Sequence, residues 1–168
     1  IIFPDLSLLR SAMPSTTSPV SVSVTAGAAV WTGLIGLAVA MGIGRFAFTP
    51  LLPLMQQDAS LTLVQGGWLA TANYVGYLTG AAICISAPPR PARSVQWGLV
   101  SIAVSTLGMA VINNFWLWFM LRFLAGAASA FVLVGVSAWA MPILAHLQKG
   151  ALSGSVFSGV GIGICFAG

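Results

Sequence analysis

Most of this chain consists of long apolar stretches that carry almost no charge. Its 168 residues include six Lys and Arg and two Asp, so charged residues make up 5% of the chain, against about 25% in a typical soluble domain. Five stretches approach the roughly 20 residues that a helix needs to cross a bilayer. They cover residues 26–55, 63–87, 95–112, 115–141 and 152–168. The sequence therefore predicts an all-α integral membrane protein with about five transmembrane helices, and it excludes a water-soluble globule.

The alternatives to membrane helices fit these stretches poorly. Strands of a membrane barrel alternate polar and apolar residues over about ten positions, whereas these stretches are continuous and long. A secretory signal peptide has a shorter apolar region than the first stretch, which continues through Arg45 into Pro50 and Pro53 without a clear cleavage site. We therefore interpret the first stretch as a retained span.

The first 25 residues differ in composition from the rest of the chain. Their second half, residues 11–25, is rich in Ser, Thr and Pro, which predicts a disordered tail before a transmembrane domain of residues 26–168. The chain begins with Ile1, and its first methionine is Met13. We expect residues 1–12 to be read-through sequence or the mark of an incomplete gene model.

The cations outside the spans share one side of the membrane. Arg90 and Arg93 lie between the second and third spans, and Lys149 lies between the fourth and fifth. Arg10 in the tail falls on the same side if the spans alternate in direction. The positive-inside rule assigns this side to the cytoplasm, which predicts a cytoplasmic N-terminus.

The charge pattern argues against several functions. Six scattered cations do not form a phosphate-binding face, so no nucleic-acid partner is expected despite a net charge of +4. The sole histidine, His146, and the two carboxylates, Asp5 and Asp58, lie outside the predicted spans and cannot form a catalytic or metal site within the membrane. Cys84 and Cys165 lie in apolar runs without a neighbour suited to redox chemistry. We expect no enzyme, no catalytic residue, no metal and no cofactor.

Small residues four positions apart mark faces on three predicted spans. Such a pair shares one face of a helix and lets another backbone approach closely. We expect these faces to serve helix packing rather than substrate contact. The pairs are Gly76 with Gly80, Gly126 with Ala130, and Gly159 with Gly163.

Two arginines, Arg45 and Arg122, lie within predicted spans. A charge at the bilayer centre costs at least about 2.5 to 3.5 kcal/mol, so such residues usually face protein or water. Counting 1.5 Å per residue places both roughly 7 to 9 Å to the outer side of the midplane. Gly126 and Ser129 lie on the face of Arg122 and make it small and polar, which favours an interior position.

Three more polar residues are candidates for a cavity around these arginines. Thr49 follows Arg45 by four residues, Asn73 lies near mid-depth on the second span, and Tyr77 is one turn further along. If the arginines line one aqueous space, it would attract an anionic or carbonyl-bearing solute. Two alternatives stay open: each arginine snorkels to the outer head groups, or Asn73 makes an interhelical hydrogen bond without contacting substrate.

Three motifs resemble one family of transporters. Residues 42–55, GIGRFAFTPLLPLM, closely resemble the first-span signature of the YbfB/YjiJ-like branch of the major facilitator superfamily (MFS). Residues 65–80, QGGWLATANYVGYLTG, continue the match on the second span, and residues 122–126, RFLAG, are similar to the fourth-span R-x-x-x-G element. The resemblance covers about residues 33–168.

This resemblance implies an inner-membrane secondary transporter of small solutes, which works by alternating access and whose first and fourth spans line the cavity. The loop of residues 87–93 departs from the family pattern because it lacks the usual Asp and keeps basic residues. A full member has about twelve spans in two halves. We therefore expect a truncated N-terminal half, inactive alone and lacking its C-terminal half or partner helices. The alternative is a non-transporting membrane subunit or scaffold that packs through its glycine faces.

Overall fold

The computed structural model of the chain describes residues 24–58 and 60–167. Within these ranges the chain is helical and contains no strand, so the prediction of an all-α fold is confirmed. The predicted disordered tail lies outside the described residues, apart from Val24 and Thr25. Thr25 is the N-cap of the first helix, where its hydroxyl accepts a hydrogen bond from the Ala28 N–H at 3.3 Å.

In the described ranges the chain forms six α-helices, a π-helical segment and one 3₁₀ turn. They are α1 (Ala26–Leu37), the π-helical segment (Ala38–Phe46), α2 (Phe48–Asp58), α3 (Leu63–Ser86), α4 (Pro91–Val111), α5 (Phe115–His146), the 3₁₀ turn (Gly150–Leu152) and α6 (Ser153–Ala167).

Local chemistry explains where several helices begin and end. The hydroxyl of Thr62 accepts the Gln65 N–H at 3.2 Å, and the Gln65 side chain accepts the Thr62 N–H at 2.9 Å, a capping box that starts α3. Pro91 begins α4 four residues before the predicted span, since proline is tolerated in the first turn of a helix. Helix α5 continues through Pro142 to His146, five residues beyond its predicted end.

Four helical stretches in the described part of the chain are long and apolar enough to cross a membrane. They are Ala26–Gln57, Pro91–Val111, Phe115–His146 and Gly150–Ala167. Helix α3 has 24 residues, which is sufficient length, but Gln65, Asn73 and two tyrosines make it less apolar. The chain is thus an all-α membrane protein, and the assignment of α3 as a fifth span stays a prediction.

Helix α5 lies at the centre of the bundle and packs most extensively against α3 and α4. The contact between α3 and α5 is close because glycines of each helix face the main chain of the other. A Cβ added at Gly76 or Gly126 would touch the carbonyl oxygen of Phe123 or Asn73, respectively, and one at Gly80 would lie 2.6 Å from the Ala127 carbonyl oxygen. The two backbones come close at these positions because glycine has no side chain to hold them apart.

Helix α6 packs against α1 and the π-helical segment in the same way. A Cβ added at Gly159 or Gly163 would touch the carbonyl oxygen of Leu34 or Ala38. Side chains of α1, α4, α5 and α6 then form the main buried core. Its members include Leu37, Ile102, Val132, Val136 and Val156.

Candidate functional site

The π-helical segment holds Arg45 in the wall of the bundle. In this segment the Ala47 N–H donates to the Gly42 carbonyl, five residues earlier, at 2.8 Å. The segment also lies against α5, because a Cβ at Gly44 would be 3.0 Å from the Ser129 hydroxyl oxygen. That hydroxyl lies 3.1 Å from the Ala40 carbonyl oxygen. Short π-helical insertions are frequent at functional sites, because they change the direction in which side chains point.

Arg45 is half-buried and stacks on aromatic rings of α3. Its guanidinium carbon lies 4.4 Å from the ring centroid of Tyr77 and 4.8 Å from that of Tyr74. The negative faces of these rings attract the cation. The Nε atom of Arg45 is buried and has no hydrogen-bond partner within the described ranges.

Arg122 on α5 is buried, with 6% of its surface exposed. Its Nη2 atom donates a hydrogen bond to the main-chain carbonyl of Arg45 at 3.3 Å. Its guanidinium carbon lies 4.4 Å from the ring centroid of Phe48 on α2. The two arginines predicted from the apolar spans are therefore in direct contact.

Asn73 connects the three elements that carry these arginines. It is 2% exposed, and its side-chain nitrogen donates to the Arg122 carbonyl at 3.0 Å and lies 3.5 Å from the Gly44 carbonyl oxygen. A buried amide that bonds two other helices fixes their relative position. Asn73 therefore makes an interhelical hydrogen bond, which was one of the two roles considered for it, and it does so at the arginine pair.

The helices that follow the first span contribute positive charge to this site and no acidic residue. The sequence has no Asp or Glu between residues 59 and 168. Aromatic faces and backbone carbonyls surround the two guanidinium groups instead. No group of three His, Cys, Asp or Glu side chains in the described residues is arranged to hold a metal ion. Chemically, the site offers positive charge and N–H donors, which suit an anionic or carbonyl oxygen.

The structure brings together four of the five predicted cavity residues. Arg45, Asn73, Tyr77 and Arg122 form one cluster, whereas Thr49 is exposed on α2. The prediction for Thr49 assumed regular α-helical spacing from Arg45. The wider π-helical turns and the break at Ala47 change that spacing.

Sequence reasoning missed three aromatic residues of this region. Tyr74 stacks on Arg45, Phe48 stacks on Arg122, and Trp118 is buried one turn before Arg122 on α5. Trp118 had a usable signal, since it lies four residues from Arg122 and so shares its helix face. The sequence has no comparable signal for Phe48, because the direction of its side chain depends on the π-helical segment that precedes it.

The fold and the site define a multi-pass helical membrane protein with buried positive charge. The family model of the uncharacterised MFS-type transporter YbfB matches residues 37–168, and the chain belongs to this family of the major facilitator superfamily. This confirms the family resemblance of the motifs.

One curated relative and the solved structures were also compared with the chain. The uncharacterized MFS-type transporter YceJ of Bacillus subtilis (strain 168) is 33% identical over 94 residues, which are 55% of this chain and 24% of the relative. The match thus spans about a quarter of the length of that protein. No solved structure matches the chain.

Proposed function

We propose that this chain is the N-terminal part of an MFS-type secondary transporter of the inner (plasma) membrane, with a cytoplasmic N-terminus. Its role is to carry a small anionic or carbonyl-bearing solute rather than to catalyse a reaction. Family membership supports transport. The observation that carries the solute class is the hydrogen bond from Arg122 to the main chain of Arg45, together with the absence of Asp and Glu from residues 59–168 of the sequence.

Burial makes this pair suited to bind an anion. Charged groups interact more strongly in a bundle interior than in water, because the local dielectric constant is lower. Arg guanidinium groups bind carboxylates and phosphates through parallel N–H donors. Because residues 59–168 contain no Asp or Glu, no acidic side chain of α3 to α6 competes with an anionic solute for these charges.

Alternating access requires a second repeat that moves against the first. The chain matches about a quarter of the length of its relative, so the proposal includes further helices that complete the cavity. On this basis the 168-residue chain alone is expected to be inactive in transport.

A second candidate function is a non-transporting membrane subunit or scaffold. It is favoured by one observation on α6, where Gly154, Ser158 and Gly161 are exposed, and a Cβ at either glycine would meet nothing within 4 Å. These residues are spaced by four and three, so they share one face. A face of small residues suits close approach by another helix, from this protein or from a partner.

Uptake into proteoliposomes tests the transport proposal. The complete reading frame that contains this chain is compared with the chain alone, using carboxylate, neutral and cationic solutes. Arg45→Gln and Arg122→Gln are expected to lower carboxylate uptake at least about tenfold, because each removes a charge-assisted hydrogen bond. Arg90→Gln, an exposed change of the same type, is the control. Unchanged carboxylate uptake in both bundle variants would refute the proposed site.

A further inference from the structure

A groove with a volume of about 560 Å³ runs between α4 and α5. Neither Arg45 nor Arg122 lines it, so it is separate from the arginine pair. The floor of this α4–α5 groove consists of buried small residues, which include Gly98, Ser105 and Ala128. A Cβ added at Gly98 would lie 3.0 Å from the Ala128 carbonyl oxygen, so the two helices meet at the floor. The groove is therefore open only toward the outside of the bundle.

The rim of the α4–α5 groove is apolar and exposed. It is formed by Trp97, Val100, Val104 and Leu124, each with more than half of its surface exposed. These residues belong to two of the helices that are long and apolar enough to cross a membrane. In a bilayer the rim therefore contacts hydrocarbon rather than water. An apolar chain suits this part of the groove better than a polar solute does.

One end of the groove is basic. Arg93 lines the groove and is exposed, two residues after Pro91 begins α4. The N-cap residue, Arg90, makes no side-chain hydrogen bond to this first turn, and the N-terminus of a helix favours an anion. Residues 59–168 contain no Asp or Glu, so no acidic side chain of α4 or α5 competes for Arg93. The charge at this end is thus complementary to an anionic group.

The length of the groove matches the depth of one leaflet of a membrane. Arg93 and Val104 are the first and nearly the last lining residues on α4, and at 1.5 Å per residue they are about 16 Å apart along the helix. Half of a hydrocarbon core of about 30 Å is roughly 15 Å. Trp97 lies one turn from Arg93, and tryptophan is enriched at membrane–water interfaces. The groove therefore extends from the level of the head groups to the middle of the bilayer.

We propose that the α4–α5 groove binds one anionic phospholipid. The phosphate of its head group pairs with Arg93, and one acyl chain lies along the groove past Gly98 and Ser101. Basic sites between transmembrane helices on the cytoplasmic side recognise acidic head groups, and the proposed orientation places Arg93 on that side. The site goes beyond the proposed transport function and does not depend on it.

Native mass spectrometry of the purified 168-residue chain in neutral detergent counts bound lipids one at a time. The probes are dioleoyl phosphatidylglycerol and dioleoyl phosphatidylcholine, which share their chains and differ in head-group charge. The first phosphatidylglycerol is expected to bind about fivefold more tightly, the factor that one basic residue near the surface contributes. Glycerol 3-phosphate, a head group without chains, is expected not to displace it at equal concentration.

Arg93→Gln tests the head-group contact. It should lower the affinity for phosphatidylglycerol about fivefold, to that of phosphatidylcholine, and leave phosphatidylcholine binding unchanged. Lys149→Gln is the control, because it removes an exposed positive charge outside the groove. An equal loss in Arg93→Gln and Lys149→Gln would show general attraction of anionic lipid and would overturn the site.

Ser101→Phe tests the acyl-chain contact, because the ring fills the groove. Both lipids should bind at least about fivefold more weakly at this site, whereas Ala103→Phe, an exposed change on the same helix outside the groove, should have no effect. Melting temperatures show whether both variants fold. Unchanged lipid binding in Ser101→Phe would show that the chain does not lie in the groove and would overturn the proposal.

The remaining outcomes separate the lipid from other ligands and from transport. Equal affinity of the parent chain for the two lipids would overturn the proposal, and displacement by glycerol 3-phosphate would indicate a site for free phosphate esters instead. If lipid binding is unselective while Arg122→Gln still lowers carboxylate uptake, this inference alone is wrong. If lipid binding depends on Arg93 while carboxylate uptake does not depend on Arg45 or Arg122, the lipid site stands and the transport site is wrong.

Discussion

The guanidinium group of Arg122 donates a hydrogen bond to the main-chain carbonyl of Arg45, 77 positions away in the sequence. In a π-helix this carbonyl would accept from the residue five positions later, which is Pro50 and has no N–H. The side chain of Arg122 on α5 supplies a donor to this carbonyl. The same contact joins the buried side chain of Arg122 to the π-helical segment that carries Arg45.

Loss of the Asn73 amide is expected to loosen the junction of α3, α5 and the π-helical segment. Asn73→Leu removes the donor to the Arg122 carbonyl and should lower stability by about 0.6 to 1.7 kcal/mol, the average and the maximum found for interhelical hydrogen bonds in a membrane protein. The measurement is unfolding in detergent. Thr71→Val is the control, since the exposed Thr71 hydroxyl bonds only to its own helix, at Gly67. Equal stability in the two variants would contradict the bridging role.

The ring of Tyr77, rather than its hydroxyl, is expected to orient Arg45. Tyr77→Leu should weaken carboxylate binding by about 0.5 to 2 kcal/mol, the range of cation–π contacts, whereas Tyr77→Phe keeps the ring face and should bind nearly as the parent does. The measurement is the concentration dependence of uptake by the complete transporter. If Tyr77→Phe is as impaired as Tyr77→Leu, the hydroxyl carries the effect and the stacking argument fails.

A methyl group at Gly76 is expected to push α3 away from α5. Gly76→Ala places a Cβ against the Phe123 carbonyl oxygen, and backbone cannot move aside as a flexible side chain can. A loss of about 1 to 3 kcal/mol is expected from overpacking. Gly67→Ala on the same helix meets nothing within 4 Å and should be neutral or stabilising, because alanine favours helices. Similar melting temperatures for both variants would show that α3 and α5 are not packed this closely.

The same comparison on α6 tests its attachment to the first span. Gly163→Ala places a Cβ against the Ala38 carbonyl oxygen, whereas Gly161→Ala meets nothing within 4 Å. We expect Gly163→Ala to destabilise by about 1 to 3 kcal/mol and Gly161→Ala to be tolerated. The measurement is the melting temperature of each variant in detergent. Equal melting temperatures in the Gly163 and Gly161 variants would contradict the contact.

Linear patterns in the sequence were sufficient to predict the class of protein and its family. Apolar content and span length are properties of the chain itself, so they indicate membrane helices before any packing is known. A charged side chain within an apolar span is costly wherever that span packs. This cost marks Arg45 and Arg122 as candidate site residues from the sequence alone. The family motifs are equally local, and the family match confirms them.

Tertiary structure alone decided which side chains surround these arginines. The π-helical segment and the break at Ala47 change the direction of the residues that follow, so regular helical counting could not find Phe48, and the cavity role of Thr49 stays a prediction. The bond from Arg122 to the Arg45 carbonyl and the α4–α5 groove depend on how α4, α5 and the π-helical segment meet. Contacts of that kind join residues far apart in the sequence, and the close helix approach that creates them exists only after the bundle has packed.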